Sequence, residues 1–214
     1  MVSAETRLRR LQFEFDPIKL GQTLAYLSTG VHDLTKVKAA KLLYFADKLH
    51  LTRYGRPITG DRYYCLDHGP VPSASLNAIN DLLSPVRIRV GGRTLENHMS
   101  KILGQFVHVD RRGAHPRLMS KLKPHEFDAL TETEREVLDA TAKQYGKLSV
   151  GRLIELSHTE KTWVTSNQHR NAGSSVEIPW ELFLEEDQPG LREHIDDHQE
   201  TDAFLQAMGR AARR

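Results

Sequence analysis

Apolar positions in the first quarter of the chain repeat with helical spacing. Leu20, Leu24 and Leu27 follow Asp16-Pro17, where Asp can cap a helix and Pro is preset for its first turn, and Gly30 supplies a stop. The next segment, LTKVKAAKLLYFADKLHLTRYG, is the clearest element. Leu42, Phe45, Ala46 and Leu49 recur at i, i+3, i+4 and i+7, and Leu43 and Tyr44 widen the stripe. Such a helix is buried on most sides, with Thr35 as its cap and Gly55, just before Pro57, as its C-terminal stop. Leu42, Phe45 and Leu49 are expected in the core. Lys41 and Asp47 on the same helix are expected to be partly buried and paired, because unpaired charges are rarely buried.

Farther along, the pattern alternates between helix and short strand. RYYCL, between Gly60 and Gly69, reads as a strand in which only one of Tyr63 and Tyr64 faces outward. SASLNAINDLL reads as a helix capped by Ser73 and ending at Ser84-Pro85. VRIRV and FVHVD, with the polar RRGAHPR turn after the second, predict a small antiparallel sheet between residues 86 and 127. Thr131 and Glu134 have the spacing of a capping box, ahead of a helix that faces inward through Val137, Leu138, Thr141 and Tyr145. Ser149 caps a further helix with Val150, Leu153 and Ile154 facing in, and IPWELFLEE predicts a short amphipathic helix. From Glu185 to Asp202 acidic residues dominate, before a basic end; Ile195, Phe204, Leu205 and Met208 could line a last helix. The fold class expected is mainly α, a compact helical domain with a small antiparallel β element. Residues 1–15 form an N-terminal extension, 16–187 the domain, and 188–214 a charged helix or tail.

Composition narrows the function classes. With 39% hydrophobic and 27% charged residues, the 214-residue chain can build a core but holds no apolar run of the ~20 residues a spanning helix needs. A cytoplasmic protein is expected. The single cysteine, Cys65, excludes an internal disulfide and a multi-cysteine zinc site. A net charge of +2 does not announce nucleic-acid binding. The candidate chemistry is concentrated in GDRYYCLDHGPVP, residues 60–72. Asp67 and His68 could be a dyad or, with Asp47 and His50, metal ligands. No HExxH motif and no Gly-rich elbow or phosphate loop accompanies them, and Cys65 sits in an aromatic strand as a structural cysteine would. Gly69 can take a positive φ, and Pro70 and Pro72 stiffen the backbone beyond it, so the stretch also reads as a strand–turn–helix joint that needs no catalysis. No cofactor or metal is expected. A metal-dependent or nucleotide-directed enzyme using Asp47, His50, Asp67 and His68, and a nucleic-acid-associated phage or plasmid protein using its terminal arginines, are the alternatives.

Two blocks carry a resemblance. Residues 36–72, KVKAAKLLYFADKLHLTRYGRPITGDRYYCLDHGPVP, closely resemble the Panacea domain, also called the SocA-like antitoxin domain. The family's Lys-Leu-Leu-Tyr-Phe-Ala helix is matched by Lys41 to Ala46, including Tyr44 and Phe45. Its turn is matched by Gly55 to Ile58, and its aromatic strand and Gly-Pro-Val by Tyr63 to Val71, including Gly69 and Pro70. LIELSHTEKTW, residues 153–163, is similar to a second segment containing His158 and Trp163, and IPWELF resembles the closing element. The resemblance implies a mainly helical antitoxin, not an enzyme, that binds and neutralises a cognate protein toxin encoded beside it. One branch of the family delivers its toxin to a protease, so a protease or chaperone is a further implied partner. The surface expected to meet the toxin lies around the rigid joint, with Tyr63 or Tyr64, Asp67 and His68, and with Trp163 as an aromatic anchor. His158 and Trp163 are expected to meet across the end of their helix.

Overall fold

The structure, a computed structural model, describes residues 10–85, 88–90, 93–95, 98–184, 190–193, 195–197 and 199. Among the described residues, the elements of residues 10–178 occur in the order α1 Pro17–Gly30, α2 Lys36–Tyr54, β1 Tyr63–Leu66, β2 Gly69–Pro72, α3 Ser73–Leu83, β3 Ile88–Val90, β4 Arg93–Leu95, α4 His98–Phe106, β5 Val107–Asp110, β6 Arg117–Ser120, α5 Glu132–Tyr145, α6 Val150–Thr159, α7 Lys161–Gln168 and β7 Val176–Ile178. A 3-10 turn, Trp180–Phe183, comes after β7. The fold is therefore mainly α with small antiparallel β elements, as the periodicity predicts. No described helix is long and apolar enough to cross a membrane.

The central helix α2 divides two apolar cores. Its Ala39, Leu42, Leu43 and Ala46 join residues of α1, α3, α4 and α5 and of the β5–β6 hairpin. Its Tyr44, Phe45 and Leu51 join α6, β1, β7 and the 3-10 turn in a second, aromatic core. A helix that serves two cores must be apolar on two faces, which is why its sequence pattern looks too wide for a surface helix. Phe45 stacks on Tyr145 with ring centroids 4.2 Å apart, and Tyr44 meets Tyr63 edge to face at 5.7 Å. Leu42 and Phe45 are buried, whereas Leu49 is only half-buried against the first core.

The helix boundaries have local causes. The Asp16 carboxylate accepts from the backbone N–H of Ile18 and Lys19 and opens α1, with Pro17 in its first turn. Gly55 closes α2 with φ of 73°, a left-handed cap in which its N–H reaches the Leu51 carbonyl. The Thr131–Glu134 capping box forms as expected, and the buried Glu134 also receives Lys19 and Arg56 at 2.5 and 2.6 Å. Ser149 caps α6 through the Arg152 N–H.

Several elements differ from the expectation. Gly69–Pro72 is not only a turn: it is a strand, paired antiparallel with β1 in the sheet order β2-β1-β7. Prolines are tolerated because β2 is an edge strand, where a missing N–H costs no ladder bond. Ser73 does not cap α3. The cap comes from Asp61, thirteen residues upstream of Ala74, whose carboxylate accepts from the Ala74 and Ser75 N–H groups at 3.0 and 2.7 Å. Thr35 precedes α2 without a side-chain cap bond, and its backbone bridges to Arg117 instead. Between 86 and 127 there are two separate hairpins, β3–β4 and β5–β6, with helix α4 between them. In IPWELF, Ile178 ends strand β7, pairing with Tyr63, and only Trp180–Phe183 turns, as 3-10. Ile195 is buried in the second core, while Phe204, Leu205 and Met208 lie outside the described residues.

Candidate functional site

The β1–β2 hairpin is the point where the motif residues converge. Tyr63 pairs with Pro72 and Leu66 with Gly69, which leaves Asp67 and His68 as a two-residue tip, both exposed. Gly69 has φ of 94°, and a side chain there would collide with the Lys41 ammonium and the Ser157 hydroxyl, so glycine is required twice over. The backbone behind the tip is held by side chains from two other helices. Lys41 Nζ of α2 donates to the Pro70 carbonyl at 3.1 Å, and Trp163 Nε1 of α7 donates to the Leu66 carbonyl at 3.0 Å. His158 of α6 lies against Gly69, where an added side chain would also meet its ring. Arg170, whose side chain is only 9% exposed, reaches the Asp67 carboxylate at 2.6 Å, and is itself fixed by Asn167 and the Ser174 carbonyl, each at 3.0 Å.

His158 and Trp163 do meet, as stacked rings 4.0 Å apart. Burial, and after it the nearby charges of Lys41 and His68, pushes the His158 imidazole below its ordinary value. Burial likewise takes the Lys41 ammonium down to about 7. Lys41 is 1% exposed and donates to a carbonyl rather than to a carboxylate, so the expectation that it is partly buried and paired is corrected: it is fully buried without an ion pair among the described residues.

Asp47 organises the opposite end of β1. Fully buried, it accepts from the N–H groups of Ile58 and Thr59 at 2.8 and 3.0 Å, from the Thr59 hydroxyl at 2.6 Å and from the Tyr63 hydroxyl at 2.9 Å. Burial raises its carboxyl to about 6 against the downward pull of these bonds. It therefore welds the Gly55–Ile58 turn and β1 to the central helix without a countercharge.

The four side chains considered as a metal set are spent separately. Asp47 serves Ile58 to Tyr63, His50 bonds the Arg56 carbonyl at 2.6 Å and the Thr133 hydroxyl at 3.3 Å, Asp67 pairs with Arg170, and His68 stands at the exposed tip. Among the described residues, no group of three or more His, Cys, Asp or Glu is arranged to hold a metal ion. Cys65 is fully buried, and burial pushes its thiol up, away from the reactive thiolate.

Strand alternation sorts the tyrosines. Tyr63 is 1% exposed and belongs to the aromatic core, so it offers no surface to a partner; Tyr64 faces outward and is half-buried. Tyr64 lines a cleft of about 550 Å³ with Phe13, Phe15, Arg62, Ser73 and Asn77. The cleft exists because residues 13–16 cross close over Gly60, where φ is 68° and any side chain would strike the Glu14 carbonyl. Arg170 and Asp61 had no sequence signal: each acts across a gap in the chain that no local spacing spans.

No curated protein and no solved structure matches the chain. The family model described as antitoxin SocA-like, Panacea domain, matches residues 40–164, from near the start of α2 through the hairpin to α7. That match takes in Lys41, Asp47, Gly69, His158 and Trp163, though not Arg170, and it covers more than half of the sequence. The chain belongs to the SocA-like antitoxin, Panacea domain family.

Proposed function

We propose that the protein is an antitoxin that neutralises a cognate protein toxin by occupying it, with the hairpin tip and the adjoining cleft as the contact surface. The observation that carries the reading is the anchoring: Asp67 and His68 project from a backbone tied by Lys41 and Trp163, with the Asp67 carboxylate braced by Arg170. A surface held this firmly loses little freedom on binding, where each flexible side chain otherwise costs about 0.5–1.5 kcal/mol to order. Tyr64 supplies amphipathic area beside it. In this reading Trp163 is chiefly an anchor of the tip, because its N–H is already committed to Leu66. The acidic stretch from Glu185 to Asp202 would steer a basic toxin, an effect that salt weakens.

The same reading takes residues 16–187 as one domain, with 1–15 and 188–214 as appendages. Two features support that extent: α1 is capped by Asp16 and packs in the first core, and β7 pairs with β1 and leads to Phe183 in the second.

The test uses the product of an adjacent toxin-like reading frame as partner. Tyr64→Ala should weaken its binding about thirtyfold, corresponding to the ~2 kcal/mol of an interface anchor, with an unchanged melting curve. Unaltered affinity in that variant, together with unaltered affinity in Asp67→Ala/His68→Ala, would remove the hairpin from the interface.

A further inference from the structure

The small net charge of the chain conceals a strongly basic segment. Residues 98–125 hold six Lys or Arg against a single Asp, a net of +5, and four His besides. The whole chain carries +2, so the remainder is net negative. Arg87, Arg89 and Arg93 precede this segment in the sequence.

The fold turns the segment into one continuous feature. Helix α4 runs directly into β5, and β5 pairs with β6 from Val107–Ser120 to Asp110–Arg117. Val107 and Leu118 are buried in the first core and fix the ribbon's inner side, while His108 and the tip, residues 111–115, are exposed. The one carboxylate, Asp110, is 5% exposed and shared by two guanidinium groups, Arg112 at 3.0 Å and Arg117 at 2.7 Å. It braces the tip but neutralises only half of the charge it touches, and the Arg112 side chain remains 87% exposed. Arg111 and Lys121 donate to the backbone carbonyls of Leu83 and Gly104, bonds that leave their charge in place. Lys101 and Lys123 are exposed and enter no ion pair among the described residues. The described large hydrophobic side chains that stand exposed, Ile18, Val37, Tyr54 and Val164, all lie elsewhere.

We propose that α4 and the β5–β6 ribbon form a docking surface for the phosphodiester backbone of nucleic acid, bound without regard to sequence. Guanidinium and ammonium groups in excess over carboxylates on a braced ribbon suit phosphate oxygens, and Arg can meet them with two parallel bonds. A protein partner would call for an apolar anchor, which this face lacks. Ile195, a described residue of the chain's own acidic stretch, is buried in the second core, whereas the ribbon packs on the first. This surface is separate from the β1–β2 hairpin and stands whether or not the hairpin binds a toxin.

Fluorescence anisotropy of the full chain tests it, with a labelled DNA duplex and, separately, a single-stranded RNA of the same length, over a salt series. The wild type should bind both, with the logarithm of the association constant falling against the logarithm of salt with a slope of about −3 to −5. Arg111→Glu/Arg112→Glu should weaken binding about tenfold or more, each lost cation making the slope shallower by about one. Because Arg112 braces Asp110, Lys101→Glu/Lys123→Glu is the second variant and should act in the same direction with an unchanged melting curve. Salt-insensitive or absent binding by the wild type, or wild-type binding by both variants, would overturn the proposal. So would competition by polyglutamate as effective as that by the duplex, which would indicate an acidic protein instead.

Discussion

Replacing Asp47 with alanine should cost the domain a large part of its stability. The substitution removes one carboxylate but orphans four donors: the N–H groups of Ile58 and Thr59 and the hydroxyls of Thr59 and Tyr63. All lie in fully or almost fully buried surroundings, so water cannot replace the lost acceptor without entering the core. An unsatisfied buried group costs about 1–3 kcal/mol, and even with relaxation the total should reach about 4 kcal/mol or more. That is a large part of the ~5–15 kcal/mol by which domains are stable. Asp47→Asn keeps the shape and one acceptor oxygen and should cost roughly half as much. Denaturant melts of the two variants check this. An alanine variant with a wild-type midpoint would mean that the turn and β1 are held to α2 by packing alone.

Lys41→Met should change how stability depends on pH. The Lys41 ammonium titrates near 7 in the folded chain and near 10.5 when unfolded, because burial disfavours its charge. A group with a depressed folded value contributes stability that is present above its unfolded value and is lost as pH falls through the folded one. Wild-type stability should therefore decline between about pH 10 and pH 7 by a component that the methionine variant lacks. At about 1.4 kcal/mol per pH unit, the gap between the two should change by on the order of 3 kcal/mol over that interval. Asp47 leaves this window untouched. Its folded value is raised to about 6, so its contribution is present below its unfolded value of 3.8 and is lost as pH rises through 6. Parallel pH profiles for wild type and Lys41→Met would show that the ammonium is better solvated than its 1% exposure implies.

The features legible in the sequence were those written in neighbouring residues. The Asp16-Pro17 start, the Gly55 stop, the Thr131–Glu134 box and the Ser149 cap all depend on spacings within a turn, and all are present. The His158–Trp163 contact was legible for the same reason. Helix α4 was missed because HMSKILGQF is short and runs without a break into the alternating residues of β5. The strand character of Gly69–Pro72 was hidden by two prolines that only an edge position excuses. Asp61 as the α3 cap, Arg170 as the brace of Asp67 and the four donors around Asp47 are products of tertiary approach, and no periodicity encodes them. Within the candidate site, then, the tip residues were readable and the side chains that hold them mostly were not.

The central claim is that the anchored hairpin neutralises a protein toxin by occupancy, and titration of toxin activity against antitoxin concentration tests it most directly. With the toxin held well above the dissociation constant, activity should fall linearly and vanish at equimolar antitoxin, with the Tyr64→Ala titration bending into a shallow curve as binding weakens. Neutralisation complete at a small fraction of equimolar antitoxin, and abolished by Asp67→Ala/His68→Ala, would indicate turnover at the tip and contradict the account.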